Sequence, residues 1–430
     1  MGEWIQPMAI SIRPPVEEME ATSQLKEGRP YNSPQVFGIR RLITFTFALR
    51  PTGGSLRPMT YAEALEHLHG LAVFGARFGL EPTRRLAAAL DNPQAQLRFI
   101  HVAGTNGKGS TCAMLESIYR AAGYRVGLFT SPHLVTFRER MQVNRRMVSE
   151  ADVARLVEEV MAGRGRAVAP DEPCGASQIP SDPVPTFFEF VTVMALKWFQ
   201  KQRCDVVIWE TGLGGRLDAT NIVTPLASVI TNIALDHQEW LGDTLAKIAA
   251  EKAGIIKAHI PVLTGADAPQ AWEVIRSEAA RMDAPVKQVT DAGEIGLVTG
   301  APVTLPLRGA HQWRNAALAA AVVRTLQDKL PVDDSALRHG LETVQWAGRL
   351  QVAHVGGREF VLDGAHNPDG VRALRATLQA EFAGQPRALV LGMLADKDCE
   401  AMCRELAPLA PRIAAVRVPS LRSLAPEKLA

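Results

Sequence analysis

One twelve-residue segment constrains the fold of this chain more than any other feature. Residues 99–110 have the sequence Phe-Ile-His-Val-Ala-Gly-Thr-Asn-Gly-Lys-Gly-Ser, an apolar run followed by a glycine-rich turn with one lysine. An apolar pattern with helical spacing follows over residues 110–122. A strand, a glycine-rich turn and a helix in this order are typical of a loop that binds phosphate groups.

The residue types in the turn suit an anion. Glycines let backbone N–H groups point inward, and the first turn of the helix adds its positive end. Lys108 supplies a charge for the β- and γ-phosphates, and the hydroxyl of Ser110 or Thr111 can reach Mg²⁺. The glycines of the turn are Gly104, Gly107 and Gly109.

The segment departs from the common pattern G-x-x-x-x-G-K-[ST] at two places. Val102 occupies the position of the first glycine, and Gly109 separates Lys108 from Ser110. A tight strand-to-helix turn with an incidental lysine is the alternative interpretation. The register of strand, glycines and lysine favours a nucleotide phosphate site over that alternative.

Length and composition limit the class of protein. A chain of 430 residues predicts two or three domains, and 47% hydrophobic with 21% charged residues suffices for a sizeable core. Lys and Arg number 47 against 45 Asp and Glu, which argues against nucleic-acid binding through a strong basic field. Five cysteines without a C-x-x-C pair indicate a reduced, cytoplasmic compartment. No uncharged apolar run approaches the roughly 18 residues of a membrane span.

Short apolar runs alternate with helical patterns from residue 97 onward, which predicts βαβ units and a mostly parallel sheet. A Pro- and Gly-containing stretch over 301–310 predicts a link to a second, smaller α/β unit. We expect strands at 99–103, 126–130, 205–210, 228–233, 261–265, 388–393 and 413–418, a hairpin at 350–362, and helices at 110–122, 151–162, 187–202, 245–257, 271–282, 312–327, 335–344, 368–382 and 399–406.

The two ends of the chain differ from its middle. Prolines and glycines interrupt the first 58 residues, where no amphipathic period is sustained, so we expect a disordered extension over 1–58. Met59 opens a helical pattern, and we hypothesise that the native protein begins there. At the other end, a further helix and strand would be expected after residue 419, so the second unit is predicted to be truncated.

Two polar residues follow buried-looking strands. Glu210 ends an apolar run, and His237 comes shortly after the run at 228–233. The carboxyl ends of parallel strands border the crevice in which such sheets bind ligands, so both side chains are candidates for one site. For a lone histidine, a solvated or hydrogen-bonded side chain is the alternative.

These motifs together resemble the folylpolyglutamate synthase/dihydrofolate synthase family of the Mur ligase superfamily. The resemblance extends over residues 60–420, with the motifs in the family's order. It implies a P-loop ATPase-like domain with a mostly parallel sheet, binding ATP and folate, over 59–306, and a smaller Rossmann-like glutamate-ligase domain over 307–430. The motifs are Gly-Thr-Asn-Gly-Lys-Gly-Ser at 104–110, Thr-Ser-Pro-His at 130–133, Glu-Thr-Gly-Leu-Gly-Gly-Arg-Leu-Asp-Ala-Thr-Asn at 210–221, Leu-Asp-His-Gln-Glu-Trp-Leu-Gly at 235–242, Glu-Lys-Ala-Gly-Ile-Ile-Lys at 251–257, His-Gln-Trp-Arg-Asn at 311–315 and Asp-Gly-Ala-His-Asn-Pro at 363–368.

The resemblance implies a set of site residues. Two Mg²⁺ ions, with K⁺ as a further candidate ion, would be held by Ser110, Ser131, Glu210, His237 and a carbamylated Lys252. ATP would be bound by Gly104, Thr105, Asn106, Gly107, Lys108, Gly109, Ser110, Asn315, Arg349 and Asp363. Lys108, Lys252 and His366 are the candidates for catalysis. The pterin substrate would contact Thr130, Thr186, Leu217, Asp218 and Ala219.

The implied reaction is the ATP-dependent addition of L-glutamate to dihydropteroate, to a folate γ-carboxylate, or to both, through an acyl phosphate. We expect a cytoplasmic monomer that acts on small molecules and binds neither nucleic acid nor membrane. A cell-wall Mur ligase and a regulatory ATPase without glutamate dependence are the alternatives. The glycine between Lys108 and Ser110 and the lack of an obvious nucleotide-sugar domain argue against the former.

Overall fold

A computed structural model describes residues 8–11, 57–72, 79–167, 184–290, 302–385, 387–420 and 422–429. Residues 8–11 form strand β1 (Met8–Ser11). The other described residues form two α/β units, of which the first and larger contains the phosphate loop. Among the described residues, no helix combines the length and the apolar character that crossing a membrane would require.

The large unit is built on an eight-stranded sheet. Six neighbouring strands are parallel, in the order β3-β6-β2-β7-β8-β9, and a short antiparallel pair extends the β3 edge. The central strands are buried along their whole length because helices cover both faces of the sheet. The strands are β2 (Phe99–Ala103), β3 (Val126–Phe129), β4 (Met141–Val143), β5 (Arg146–Met147), β6 (Val206–Glu210), β7 (Ala227–Ile230), β8 (Val262–Thr264) and β9 (Val286–Gln288).

The helices of this unit lie on both faces of the sheet, and several begin at a side-chain cap. Thr60 and Thr186 each accept the backbone N–H three residues ahead, in capping boxes with Glu63 and Glu189. The helices are α1 (Tyr61–Leu71), α2 (Glu81–Ala88), α3 (Lys108–Ala121), α4 (Glu150–Ala167), α5 (Phe187–Lys201), α6 (Gln238–Leu241), α7 (Leu245–Ala253) and α8 (Pro269–Arg281).

Two further helices, α9 (Ala310–Thr325) and α10 (Asp334–Glu342), pack on α3. Their apolar residues share one core with β2 and α3, and the smaller unit has a core of its own. This packing differs from the boundary at residue 307 expected from the sequence. We therefore propose a boundary near residue 348, after the two helices.

The smaller unit carries a five-stranded sheet in the order β10-β11-β1-β12-β13. Strands β10 and β11 form the predicted hairpin, and β12 and β13 are parallel. Leu374 and Leu406, one from each helix, pack in its core. The elements are β10 (Gln351–Val355), β11 (Arg358–Asp363), α11 (Pro368–Glu381), β12 (Ala388–Leu391), α12 (Cys399–Leu406) and β13 (Arg412–Ala415).

The strand β1 corrects the prediction of disorder for residues 8–11. It lies antiparallel between β11 and β12, with Met8 opposite Asp363 and Ile10 opposite Leu389. Without it the facing backbone N–H and C=O groups of β11 and β12 would lack strand partners, which explains why so short a segment pairs there. The remainder of the extension, residues 1–7 and 12–56, lies outside the described residues.

Candidate active site

The phosphate loop occupies residues 104–107, between β2 and α3. Gly104 has a φ of 147°, and a Cβ built on it would lie 1.9 Å from the Thr231 hydroxyl oxygen, so only glycine fits. Two backbone amides of the loop are fixed by hydrogen bonds to Asn232, which follows β7. Thr105 N–H donates to the Asn232 carbonyl at 2.9 Å, and Asn106 N–H donates to Asn232 Oδ1 at 2.7 Å.

Gly109, the residue that departs from the common pattern, packs against Trp346. A Cβ on Gly109 would lie 2.9 Å from Trp346 Nε1. The guanidinium of Arg145 lies 5.3 Å from the centre of the Trp346 ring, in a cation–π contact that helps to hold the ring in place. The extra glycine therefore makes room for the segment that joins the two units.

Two lysines converge on one backbone carbonyl of the loop. Lys108 Nζ donates to Gly104 O at 3.0 Å and to Thr105 O at 3.1 Å, and Lys252 Nζ donates to Gly104 O at 2.9 Å. Burial, followed by the charge of Lys108, lowers the pKa of Lys252 to about 7. Burial therefore favours the uncharged amine of Lys252 over its ammonium form.

Glu210 ends β6 with its carboxylate buried beside the loop. Its Oε2 accepts the backbone N–H of Ser131 at 2.8 Å. Burial raises the pKa of Glu210 to about 7, against the opposing effects of the Lys108 charge and the Ser131 amide. A cation beside this carboxylate would stabilise its charged form.

A cavity of about 360 Å³ contains most of the predicted site. Ser110, Ser131, Glu210 and His237 all line it, whereas Lys252 lies buried behind the loop. Among the described residues, no group of three His, Cys, Asp or Glu side chains is clustered as a metal site. A mixed set of one carboxylate, hydroxyls and one histidine fits Mg²⁺, which keeps several waters and takes ligands from substrate phosphates.

His237 precedes α6 with a left-handed backbone, at a φ of 49°. Its neighbour Asp236 is buried and joins the two units: Lys397 Nζ donates to Asp236 Oδ1 at 2.7 Å, and Asn367 Nδ2 donates to Oδ2 at 2.9 Å. Burial alone would raise the pKa of Asp236. The hydrogen bond from His366 and the charges of His237, His366 and Lys397 instead hold that pKa well below its usual range.

Asn315 lies at the phosphate loop, in contact with Gly107. A Cβ on Gly107 would be 2.5 Å from Asn315 Oδ1, and Asn315 Nδ2 donates to Gln312 Oε1 at 3.1 Å. Because α9 packs on the large unit, Asn315 belongs to that side of the cavity. Asn315 lines the cavity from this side, and its contact with ATP stays a prediction.

Arg349 and Asp363 line the opposite wall of the cavity. Arg349 Nη1 donates to the Gly348 carbonyl at 3.0 Å, which leaves other guanidinium N–H groups for a ligand. Asp363 accepts the backbone N–H groups of Leu350 and Ala365 at 2.9 and 2.8 Å. Its carboxylate thus holds the start of β10 and the turn after β11 together.

His366 faces the large unit from that turn. Its Nδ1 lies 2.8 Å from the Gly364 carbonyl, which can only accept, so Nδ1 carries a proton. Its Nε2 lies 3.5 Å from Asp236 Oδ2. The imidazole is thereby oriented into the cavity between the two units.

Asn106 lines the cavity, and its side-chain amide also bonds across to the smaller unit. Its amide forms a reciprocal pair with Asn367, at 3.2 Å and 3.0 Å, and Nδ2 also donates to Asp369 Oδ2 at 3.0 Å. Asn232 Nδ2 donates to the same carboxylate oxygen at 3.1 Å. We call these four residues the amide latch, because they join the phosphate loop to the first turn of α11.

The five predicted substrate residues do not line this cavity. Thr186 is the cap of α5, with its hydroxyl accepting Glu189 N–H at 3.3 Å. Asp218 is buried, and burial raises its pKa; its carboxylate accepts Leu213 N–H at 2.8 Å. Residues beside them, Ser131 and Gly212, do reach the cavity. The remaining predicted substrate residues are Thr130, Leu217 and Ala219.

Sequence reasoning missed Asp236, Lys397, Asn232 and Asp369. Lys397 is separated from Asp236 by 161 positions, so no local pattern could connect them. The signals that could have been used are the acidic neighbour of His237 and the lysine between Asp396 and Asp398. The Lys397 side chain is only 8% exposed although it lies between two exposed aspartates, which distinguishes it from an ordinary run of surface charges.

Known proteins share both the sequence and this architecture. The dihydrofolate synthase/folylpolyglutamate synthase of Bacillus subtilis is 39% identical over 372 residues, covering 82% of this chain and 84% of the relative. The chain therefore belongs to the folylpolyglutamate synthase/dihydrofolate synthase family. The folylpolyglutamate synthase of Lacticaseibacillus casei is 35% identical over 389 residues. The match includes 86% of this chain and 88% of the relative.

Solved structures of the folylpolyglutamate synthase/dihydrofolate synthase family have the same fold. Escherichia coli FolC in complex with DHPP and ADP matches with a TM-score of 0.74 and 33% identity, over 88% of each chain. An FPGS-AMPPCP-folate complex matches with a TM-score of 0.73 and 34% identity, over 84% of this chain and 90% of that one. Residues 348–430 match the protein family described as "Mur ligase, glutamate ligase domain". The family and fold predicted from the motifs are confirmed.

Proposed function

We propose that the protein is an ATP-dependent ligase that joins L-glutamate to dihydropteroate, to a folate, or to both, and releases ADP and phosphate. The observation that carries the proposal is one cavity with Lys108 and Ser110 on one wall and Arg349 and His366 on the other. Related proteins bear the names of both activities, and related structures contain ADP with DHPP, or AMPPCP with folate.

The chemistry requires activation because a carboxylate is a poor electrophile. The acceptor carboxylate attacks the γ-phosphoryl group of ATP, giving an acyl phosphate and ADP. The amine of glutamate then attacks the acyl carbon, and phosphate leaves. Phosphoryl transfer needs mainly alignment and charge neutralisation, which Lys108 and the amides of the phosphate loop supply.

Ser110, Ser131, Glu210 and His237 would hold Mg²⁺ in this cavity. When bound, Mg²⁺ neutralises negative charge on the phosphate oxygens. The buried Glu210 carboxylate lines the cavity together with the other three residues, which supports it as a ligand. A second Mg²⁺ and K⁺ belong to the same proposal and are supported by the resemblance alone.

Carbamylation of Lys252 is the most unusual part of the proposal. CO₂ reacts with an uncharged amine, and the lowered pKa of the buried Lys252 supports that reactivity. The product is an anion, which the neighbouring Lys108 would stabilise. A ¹³C NMR spectrum in ¹³CO₂ should contain a carbamate signal that is absent in Lys252→Met. A spectrum without that signal contradicts the modification.

Asn315, Arg349 and Asp363 are proposed to bind the nucleotide, and His366 to lie beside the acyl phosphate. Thr130, Thr186, Leu217, Asp218 and Ala219 are kept as pterin-side candidates, although their polar groups are occupied in part by the fold. Since the two walls of the cavity come from different units, closure would exclude water from the acyl phosphate. We further propose that the protein acts as a monomer.

One assay separates this function from its alternatives. Phosphate release is measured with dihydropteroate, tetrahydrofolate or a muramyl nucleotide, each with and without L-glutamate. The proposal predicts release that requires both a pterin acceptor and glutamate. Release with the muramyl nucleotide would indicate a cell-wall ligase, and release independent of glutamate would indicate a regulatory ATPase.

A further inference from the structure

A fully buried histidine lies in the strand that leads into the phosphate loop. In β2, Ile100 and Val102 pack toward α3, whereas His101 lies on the other face of the strand. His101 Nε2 is 2.9 Å from the hydroxyl oxygen of Thr220, which is also fully buried. None of the roles proposed above uses either residue.

The direction of these hydrogen bonds follows from counting protons. The Thr220 hydroxyl donates its one hydrogen to Asp218 Oδ1, so its oxygen can only accept from the imidazole. His101 must therefore be protonated on Nε2. Burial, with the charge of Lys257, lowers the pKa of His101 to about 3, so the ring is neutral and Nδ1 is unprotonated. Nδ1 has no hydrogen-bond partner within the described part of the chain.

Asp218 connects these hydrogen bonds to the turn after β6. Its Oδ1 also accepts Thr220 N–H at 3.0 Å, and its Oδ2 accepts Leu213 N–H at 2.8 Å. The carboxylate thus ties the turn at 211–217 to the 3₁₀ segment Ala219–Ile222. A chain of three side chains, His101, Thr220 and Asp218, links β2 to this turn.

The turn borders one end of the cavity. Gly212 and Ser131, after the neighbouring strands β6 and β3, line that end, and Gly265, Gln312 and Asn315 line the other end beyond the phosphate loop. If Asn315 binds the base of the nucleotide, the base occupies the end of the cavity at which Asn315 lies. The acceptor acid must then approach the γ-phosphate from the end that contains Gly212.

We propose that His101 is a positioning residue that, through Thr220 and Asp218, holds the turn at 211–217 in the conformation that receives the acceptor acid. The proposal rests on the ligase function proposed above. Unlike residues in contact with a substrate, His101 would act only by fixing the direction of one hydroxyl.

The test compares His101→Leu, which lacks a donor, with His101→Gln, whose amide can donate at nearly the same position as Nε2. For His101→Leu we expect the KM for the pterin acceptor to rise about tenfold, the upper end for loss of one buried neutral hydrogen bond, with the KM for ATP within about twofold. His101→Gln should restore most of the acceptor KM. Thr220→Val should match His101→Leu, and the double variant should add little.

Ser228→Ala is the matched control. Ser228 lies opposite His101 on β7, is equally buried, and donates from its hydroxyl to the Ile255 carbonyl at 3.0 Å. It should lower Tm without changing the acceptor KM. Equal effects of Ser228→Ala and His101→Leu on that KM, or no recovery in His101→Gln, would overturn the proposal.

Two measurements do not depend on turnover. Long-range ¹H–¹⁵N NMR of the wild-type protein, with His101 assigned by its loss in His101→Gln, should give a neutral imidazole protonated on Nε2. A ring protonated on Nδ1 would overturn the inference even if the variants fail to fold. Equilibrium binding of dihydropteroate to wild type and to His101→Leu separates the two proposals, since we expect weaker binding by the variant. If the wild type shows this difference in affinity but no glutamate-dependent phosphate release, the ligase function is refuted and the role of His101 is not.

Discussion

The two walls of the cavity are built in different ways. On the large-unit wall, Lys108 and Ser110 come from one continuous strand, turn and helix, fixed within a fully buried parallel sheet. On the smaller-unit wall, Asp363 ends a half-exposed hairpin and His366 follows it. Their contacts go to the backbone and to Asp236 of the other unit. The first wall is preformed, whereas the geometry of the second depends on contact between the units.

This difference predicts two kinds of variant. Changes on the large-unit wall should remove charge stabilisation from the transferring phosphoryl group and leave the arrangement of the units alone. Changes on the smaller-unit wall should lower the fraction of molecules in which both walls are in place. They should therefore change kcat or the KM of one substrate. The contacts that join the walls are the Asp236–Lys397 pair and the amide latch.

The largest effect is expected for Lys108→Ala. Loss of this charge should reduce glutamate-dependent phosphate release by at least about 100-fold, as for removal of a preorganised donor. Tm and the circular dichroism spectrum should stay close to wild type, since within the described residues the Lys108 side chain donates hydrogen bonds to loop carbonyls alone. Lys247→Ala, at an exposed surface pair with Asp243, is the control. Retention of a tenth of the activity would contradict the phosphate role.

Lys397→Met comes next. It leaves the buried carboxylate of Asp236 without its nearest cation, and we expect kcat to fall about 10- to 100-fold. Because the pair joins the two units, Tm of the large unit should change little, while small-angle X-ray scattering with ATP and acceptor should indicate a less compact protein. Arg404→Met, at an exposed pair with Glu400, is the control. A fall in Tm with unchanged scattering would mean that Lys397 stabilises the fold rather than closure.

The sequence predicted the preformed wall better than the other. Strands such as Phe99–Ala103 were found within a few residues because continuous apolar runs bounded by glycines have few alternatives. Strands β4 and β5 were missed because two or three residues carry no period. Helical periodicity predicted α9 and α10, but it gives an apolar face and not the partner of that face, so it could not show that both helices pack on α3. Lys397 and Asp236 meet only through the fold.

Arg349→Ala tests the nucleotide side of the second wall. Arg349 lines the cavity, and among the described residues its guanidinium donates to the Gly348 carbonyl alone, so the KM for ATP should rise about tenfold, with a smaller change in kcat. Arg358→Ala, at an exposed position of the same hairpin, should leave both parameters unchanged. An unchanged KM for ATP would remove Arg349 from the site.

Asn106→Ala should have the smallest effect and gives the sharpest comparison, because Asn106 is in the preformed loop but bonds to the other wall. Its side chain contacts Asn367 and Asp369 across the units, so we expect kcat to fall about three- to tenfold, in the range of single hydrogen bonds, with little change in ATP affinity. In a double-mutant cycle with Asp369→Ala, the two changes should be coupled by about 1 kcal/mol. Calorimetry of ATP binding decides between the two assignments of this residue. A tenfold weaker affinity for ATP, without coupling to Asp369, would make Asn106 a nucleotide ligand as its motif predicts, and would leave Asp236–Lys397 as the main contact that aligns the second wall.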